Sequence, residues 1–142
     1  MAYIDRTHEF LAKAKSTKGR LHDPENLLTE KERKSAEWLR DNLGGSIVAI
    51  PRADIDNVMT PDLLWNGTAL EIKNTNASLS GLDQAVRKAK HQTKGGGVLI
   101  DITGADYTDD QAVKQVSGRL RRSGGKFAII IRDANLVSYL SK

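Results

Sequence analysis

Asp62, Glu71 and Lys73 have the types and spacing that could cut a phosphodiester. Glu71 and Lys73 flank one apolar residue, Ile72, so on a strand both project from the same face. Asp62 opens an apolar run, 62–65, joined to a second run, 68–73, by Asn66-Gly67, whose tolerance of positive φ marks a two-residue hairpin. Pairing across that turn can bring Asp62 alongside the other two, so that two carboxylates and an ammonium converge. Phosphodiester hydrolysis needs an activated water and relief of charge on the phosphate and the leaving oxygen, and a divalent cation held by carboxylates serves all three. Asp62 and Glu71 are the candidate ligands, and the Ile72 carbonyl is a further oxygen. Magnesium binds in this way through one or two carboxylates, and manganese or zinc are the other divalent ions considered. Lys73 is placed to orient the water or stabilise its anion. The plainer account is a surface hairpin carrying a cross-strand ion pair, which stabilises little and needs no catalysis.

Other side chains bear on the choice. Glu32 shares a helical stripe with Ala36, Leu39 and Leu43, which puts a carboxylate on a core-facing side; it is equally the N3 member of a capping box begun by Thr29. Basic residues gather at Arg87, Lys88, Lys90, His91 and Lys94, and again at Arg119, Arg121, Arg122 and Lys126. Solvated helix faces would account for either run, but with an acidic motif nearby they suit a polyanionic partner. Arg87, Lys90 and Gln92 are the residues expected to touch it, Gln92 as a hydrogen-bond partner to substrate or to a site carboxylate. Asp54 and Asp56 read as loop residues. Asp101 interrupts an apolar strand and is expected to be paired in a structural role. His8, His22 and His91 are too scattered to form a histidine-ligand site.

The elements that must position these groups follow from periodicity and punctuation. Thr29-Glu30-Lys31-Glu32 opens a helix running to about Leu43, stopped by Gly44-Gly45. A strand follows over roughly 46–51, then the hairpin. A turn-rich stretch, 76–81, leads into a basic helix over 82–93, stopped by Gly95-Gly96-Gly97. The apolar runs 98–102 and 127–131 read as strands buried on both faces, with a helix over 109–122 between them and a short edge strand or turn at 135–140. Helices alternating with buried strands imply an α/β protein with a mixed sheet covered on both sides.

The chain of 142 residues is long enough for one core, which gives a single domain at 29–142 behind a polar lead or linker at 1–28 that holds a short helix over 7–15. There is no cysteine, which excludes disulfides and thiolate zinc sites. No apolar run approaches the about 18 residues a membrane span requires, and no signal peptide is visible.

Thr60-Pro61-Asp62 followed by Glu71-Ile72-Lys73 resembles the PD-(D/E)xK motif of the restriction-endonuclease-like superfamily, whose core order of helix, three-strand meander, helix and strand matches the order read above. Within that superfamily the chain is most similar to the C-terminal nuclease domains of contact-dependent growth inhibition (CdiA-type) toxins and their phage and mobile-element relatives. The matching pieces are Glu32-x-x-x-Ala36-x-x-Leu39, 60–64, 71–73, 87–92 and 98–102. The resemblance implies a restriction-endonuclease-like mixed sheet flanked by helices and a divalent-metal-dependent nuclease, in this branch often one that cleaves transfer RNA, neutralised by a cognate immunity protein. It implies action in the cytoplasm, that of a target cell when the domain is delivered within a larger secreted protein. It also implies a helix glutamate in the site, which favours Glu32 as a catalytic residue beside Asp62, Glu71 and Lys73. DNA remains an alternative substrate, because metal-assisted cleavage does not need the ribose 2′-hydroxyl. A non-catalytic nucleic-acid-binding or phage accessory module is the alternative from another class. An unused cluster of like charges argues against it, and the dispersed aromatic residues offer no stacking platform.

Overall fold

The hairpin forms as its turn dictates. Asn66 and Gly67 both take positive φ, 50° and 81°, and they join strands whose partners are Leu63 with Leu70, Leu64 with Ala69 and Trp65 with Thr68. In the computed structural model, which describes residues 3–14, 18–51 and 60–141, this hairpin sits within one sheet. The elements are β1 (Ile4–Asp5), α1 (Thr7–Ala14), β2 (Arg20–His22), α2 (Glu30–Asn42), β3 (Ser46–Ala49), β4 (Leu63–Trp65), β5 (Thr68–Asn74), α3 (Leu79–Thr93), β6 (Gly97–Asp101), α4 (Asp109–Ser123), β7 (Phe127–Arg132) and β8 (Asn135–Ser141). Sheet order is β1-β8-β7-β6-β5-β4-β3-β2. Strands β5, β6 and β7 run parallel, while β3, β4 and β5 form an antiparallel meander. This is the mixed α/β sheet expected. Asp54 and Asp56 lie outside the described residues.

Alternation along the strands sorts the core into two layers. Leu63, Leu70, Ile72, Leu99 and Ile129 pack with Ala36, Trp38 and Leu39 of α2 on one face. Val98, Ile100, Ala128 and Ile130 pack with Leu82, Val86 and Ala89 of α3 and with Val116 and Leu120 of α4 on the other. Each fully buried leucine or isoleucine here contributes about 1.5–3 kcal/mol relative to exposure.

Helix ends obey local chemistry. The Thr29 amide donates to Glu32 Oε1 at 2.9 Å, and the Glu32 amide donates to Thr29 Oγ1 at 3.2 Å. Thr108 and Gln111 make the same box at the start of α4. Helix α3 begins at Leu79, earlier than the turn-like 76–81 suggests, because Ser78 caps it by accepting from the Gly81 amide at 3.0 Å. Gly97 belongs to β6 rather than merely ending α3: a Cβ there would stand 2.1 Å from the Phe127 ring, so the two strands approach only because it has none. The 1–28 stretch contributes strands to both edges, β1 on β8 and β2 on β3. β8 is accordingly an inner strand of seven residues, not an edge.

Candidate active site

Pro61 can donate no backbone hydrogen bond, so the β4–β5 ladder ends there and side chains take over. Asp62 Oδ2 accepts from the Ile72 amide at 2.8 Å, and Glu71 Oε1 accepts from the Asp62 amide at 3.1 Å. Each carboxylate thus fastens the strand that carries the other. Leu70 and Ile72 belong to the α2 face, so Glu71 and Lys73 project to the α3 side. Lys73 Nζ lies 3.6 Å from Glu71 Oε2. The three sequence-predicted residues converge.

Burial decides against a mere surface ion pair. Asp62 is 8% exposed and Glu71 2%, whereas solvated hairpin carboxylates would be largely open. Burial first, then the hydrogen bond and charge of the neighbouring Asp62, push the Glu71 carboxyl up to about 8, with Lys73 pulling the other way. A buried carboxylate pair with one nearby ammonium is short of positive charge, and at neutral pH the deficit is met by a proton. A divalent cation would meet it equally, and the all-oxygen donor set suits magnesium or manganese better than a softer metal. Among the described residues there is no cluster of three or more acidic or histidine side chains that could hold a metal by themselves, so the fit rests on two carboxylates, with the Ile72 carbonyl and water to complete it.

Lys73 opens onto a concavity of about 330 Å³ lined by Asn74, Thr75, Gln84, Ala85 and Lys88. Its far wall is one flank of α3, the row Gly81, Ala85, Lys88, Gln92, beside the buried row Leu82, Val86, Ala89, Thr93. Gln92 belongs to the flank next to the hairpin, and its Oε1 is buried with no hydrogen-bond partner among the described residues. Arg87 and Lys90 lie on the opposite flank with Asp83, away from Lys73. Asp83 faces α4, where Arg119 and Gln115 donate to it, Gln115 at 2.8 Å, and Arg122 joins at 3.2 Å. The Arg119 bonds hold the Asp83 carboxyl below its usual range. Part of the second basic cluster is therefore spent on joining two helices.

Glu32 sits on α2, across the sheet from Glu71, and gives one carboxylate oxygen to its capping bond. Asp101 is paired as expected, its Oδ1 accepting from the Thr103 amide at 2.9 Å and from the Thr103 hydroxyl.

No protein-family model and no curated protein matches this sequence. Among solved structures, a chain of the CdiA-CT/CdiI toxin and immunity complex from Burkholderia pseudomallei has the same fold. The two superpose with a TM-score of 0.51 over 87% of this chain and 97% of that one, at 11% identity. At that identity the likeness is one of architecture, a mixed sheet layered between helices.

Lys88 and Gln84 are wall residues that reading the basic helix as one patch did not separate from Arg87 and Lys90. The signal was present: the 82, 86, 89, 93 row fixes which flank of α3 faces the hairpin. No helix among the described residues is long and apolar enough to cross a membrane.

Proposed function

We propose that this chain is a divalent-metal-dependent nuclease of the PD-(D/E)xK type, acting as the toxin domain of a contact-dependent growth inhibition system on transfer RNA. The observation that carries the reading is the buried meeting of Asp62 and Glu71 with Lys73 beside them. Asp62 and Glu71 would hold the cation, with the Ile72 carbonyl as a further oxygen. A divalent ion bound there supplies Lewis-acid charge and an acidified water. To serve as a ligand, Glu71 would release its proton to solvent. Lys73 turns its ammonium toward the concavity, where it can orient the attacking water or neutralise a phosphate oxygen. Glu32 is retained as a supporting acid on the strength of the sequence resemblance.

The toxin role draws support from the solved neighbour, a complex of a toxin with its immunity protein. The buried acidic pair with its lysine favours the toxin over the immunity side, with an immunity protein as its partner. Its site of action is then the cytoplasm of a target cell.

The test is incubation of a total transfer-RNA pool and of plasmid DNA, side by side, with magnesium or EDTA, using the natural chain and Lys73→Ala. Discrete RNA fragments that require both magnesium and Lys73 are expected. Nicking of the plasmid instead would move the substrate to DNA, and absence of cleavage in both would overturn the nuclease reading.

A further inference from the structure

The concavity beside Lys73 has a neighbour at the end of β5. A second hollow, of about 280 Å³, lies at the C-terminal ends of β5 and β6, lined by Lys31, Lys34, Asn74, Thr75, Asn76 and Asp101 among others. Asn74 and Thr75 line both hollows. The two therefore adjoin at the end of β5 and together make a trough in two parts, one reaching from Lys73 to Lys88 on α3 and the other to the first turns of α2.

The chemistry of the wall is uniform. Cations stand at both ends, amides and hydroxyls line the middle, and no aromatic side chain is present. Lysine, asparagine and threonine are the donors that meet phosphate and sugar, whereas base recognition on a single strand calls for stacking surfaces. Each hollow is at the small end, about 300 Å³, of sites that take one compact ligand unit, which suits one nucleotide apiece rather than a duplex. Asp101 is the one carboxylate on the wall, and its Oδ1 is occupied by Thr103. Lys34 is loosely held, 3.9 Å from Glu30 with both side chains largely exposed, and so is available to a ligand.

We infer that Lys31 and Lys34 bind the backbone phosphates of a single nucleic-acid strand on one side of the Lys73 site, independently of sequence. The inference rests on the nuclease reading for the direction of the strand, but its test does not depend on turnover. A fluorescein-labelled twelve-nucleotide single strand, as RNA and as DNA, is titrated in EDTA over a range of salt concentrations. The proteins are the natural chain, the double variant Lys31→Gln/Lys34→Gln, and Lys18→Gln/Arg20→Gln as a charge-matched control. Lys18 and Arg20 are exposed at the start of β2, which runs in the same direction as β5 and so begins at the end of the sheet opposite the trough. With a slope of about −0.7 per phosphate neutralised on a single strand, loss of two contacts should flatten the dependence of log affinity on log salt by about 1.4. Lys18→Gln/Arg20→Gln should leave it unchanged.

In magnesium, Lys31→Gln/Lys34→Gln should raise KM and leave kcat alone. An unaltered salt slope in Lys31→Gln/Lys34→Gln, an equal flattening in Lys18→Gln/Arg20→Gln, or no binding of either strand by the natural chain overturns the inference. Cleavage in magnesium by the same preparation then tells whether the nuclease reading survives it. A preference for RNA over DNA in the natural chain would add contacts to the 2′-hydroxyl without altering the two phosphate contacts.

Discussion

Replacing Glu71 by glutamine should raise the stability of the metal-free protein in alkaline solution and leave it unchanged in acid. The Glu71 carboxyl is moved from 4.5 to about 8, so the folded chain keeps a proton that the unfolded chain has already lost. A group raised in this way costs the fold nothing below its unfolded pKa. It costs progressively more as pH climbs toward the folded one, and a constant amount beyond it. At 1.36 kcal/mol per unit, the ceiling on that cost is about 5 kcal/mol. Entry of water and relaxation toward Lys73 reduce the realised figure to about 2–3 kcal/mol. Glutamine has the shape of the protonated acid: its oxygen can keep the Asp62 amide, and its NH₂ can donate to the Asp62 carboxylate. The natural chain and Glu71→Gln would be melted in EDTA at half-unit steps from pH 4.5 to 9, followed by circular dichroism. Equal midpoints near pH 4.5 should diverge to a glutamine advantage of roughly 10 °C at pH 9 for a domain of this size. Added magnesium should close the gap from the glutamate side, because ion binding stabilises only the chain that has both carboxylates. A pH-independent difference, or a glutamine variant less stable at pH 9, would refute the argument that Asp62 and Glu71 form a pair short of positive charge.

Asp62→Asn should remove cleavage while preserving the fold, whereas Asp62→Ala, which strips the Ile72 amide of its acceptor, should also cost about 1–3 kcal/mol in urea denaturation. Glu32→Gln retains the capping box, since glutamine serves at N3, and Thr29→Ala breaks it at a cost of about 1 kcal/mol; if Glu32 supports the site, cleavage falls at least about tenfold in the former with no change in melting. Asp83→Ala unties α3 from Arg119 and Gln115 of α4 and should lower stability by about 1–2 kcal/mol with little effect on kcat, checked by urea titration and steady-state kinetics.

The hairpin and its three functional side chains were legible because Asn66-Gly67 fixes register, and register with alternation fixes which side chains share a face. The capping box at Thr29 was legible as a four-residue pattern, and the parallel core as uninterrupted apolar runs. Flank assignment on α3 was harder, because cations occur all round that helix; only the buried row, read together with the sheet it covers, separates Lys88 from Arg87. β1 and β2 have two and three residues, too few for a period of two to show. Their pairing is decided by the waiting edges of β8 and β3 and not by their own sequence. The Glu71 environment was only half legible: two carboxylates in proximity could be foreseen, but the depth that raises one of them depends on α3 lying over the hairpin.

Those two short strands have a consequence for solubility. An open sheet ends in rows of unsatisfied amides and carbonyls, and long, regular ends are templates on which further chains can add. Here the inner neighbours of the ends are the seven-residue β8, rich in apolar residues, and β3, which carries the exposed Val48. The same stretch of chain, before residue 23, covers part of the first, at Leu140 and Ser141, and most of the second, at Ser46, Ile47 and Val48, with ends too short to recruit a partner strand. A chain trimmed to begin at Asp23 would retain every residue of the proposed site, yet it should leave solution as strand-paired aggregates at concentrations where the intact chain stays monodisperse.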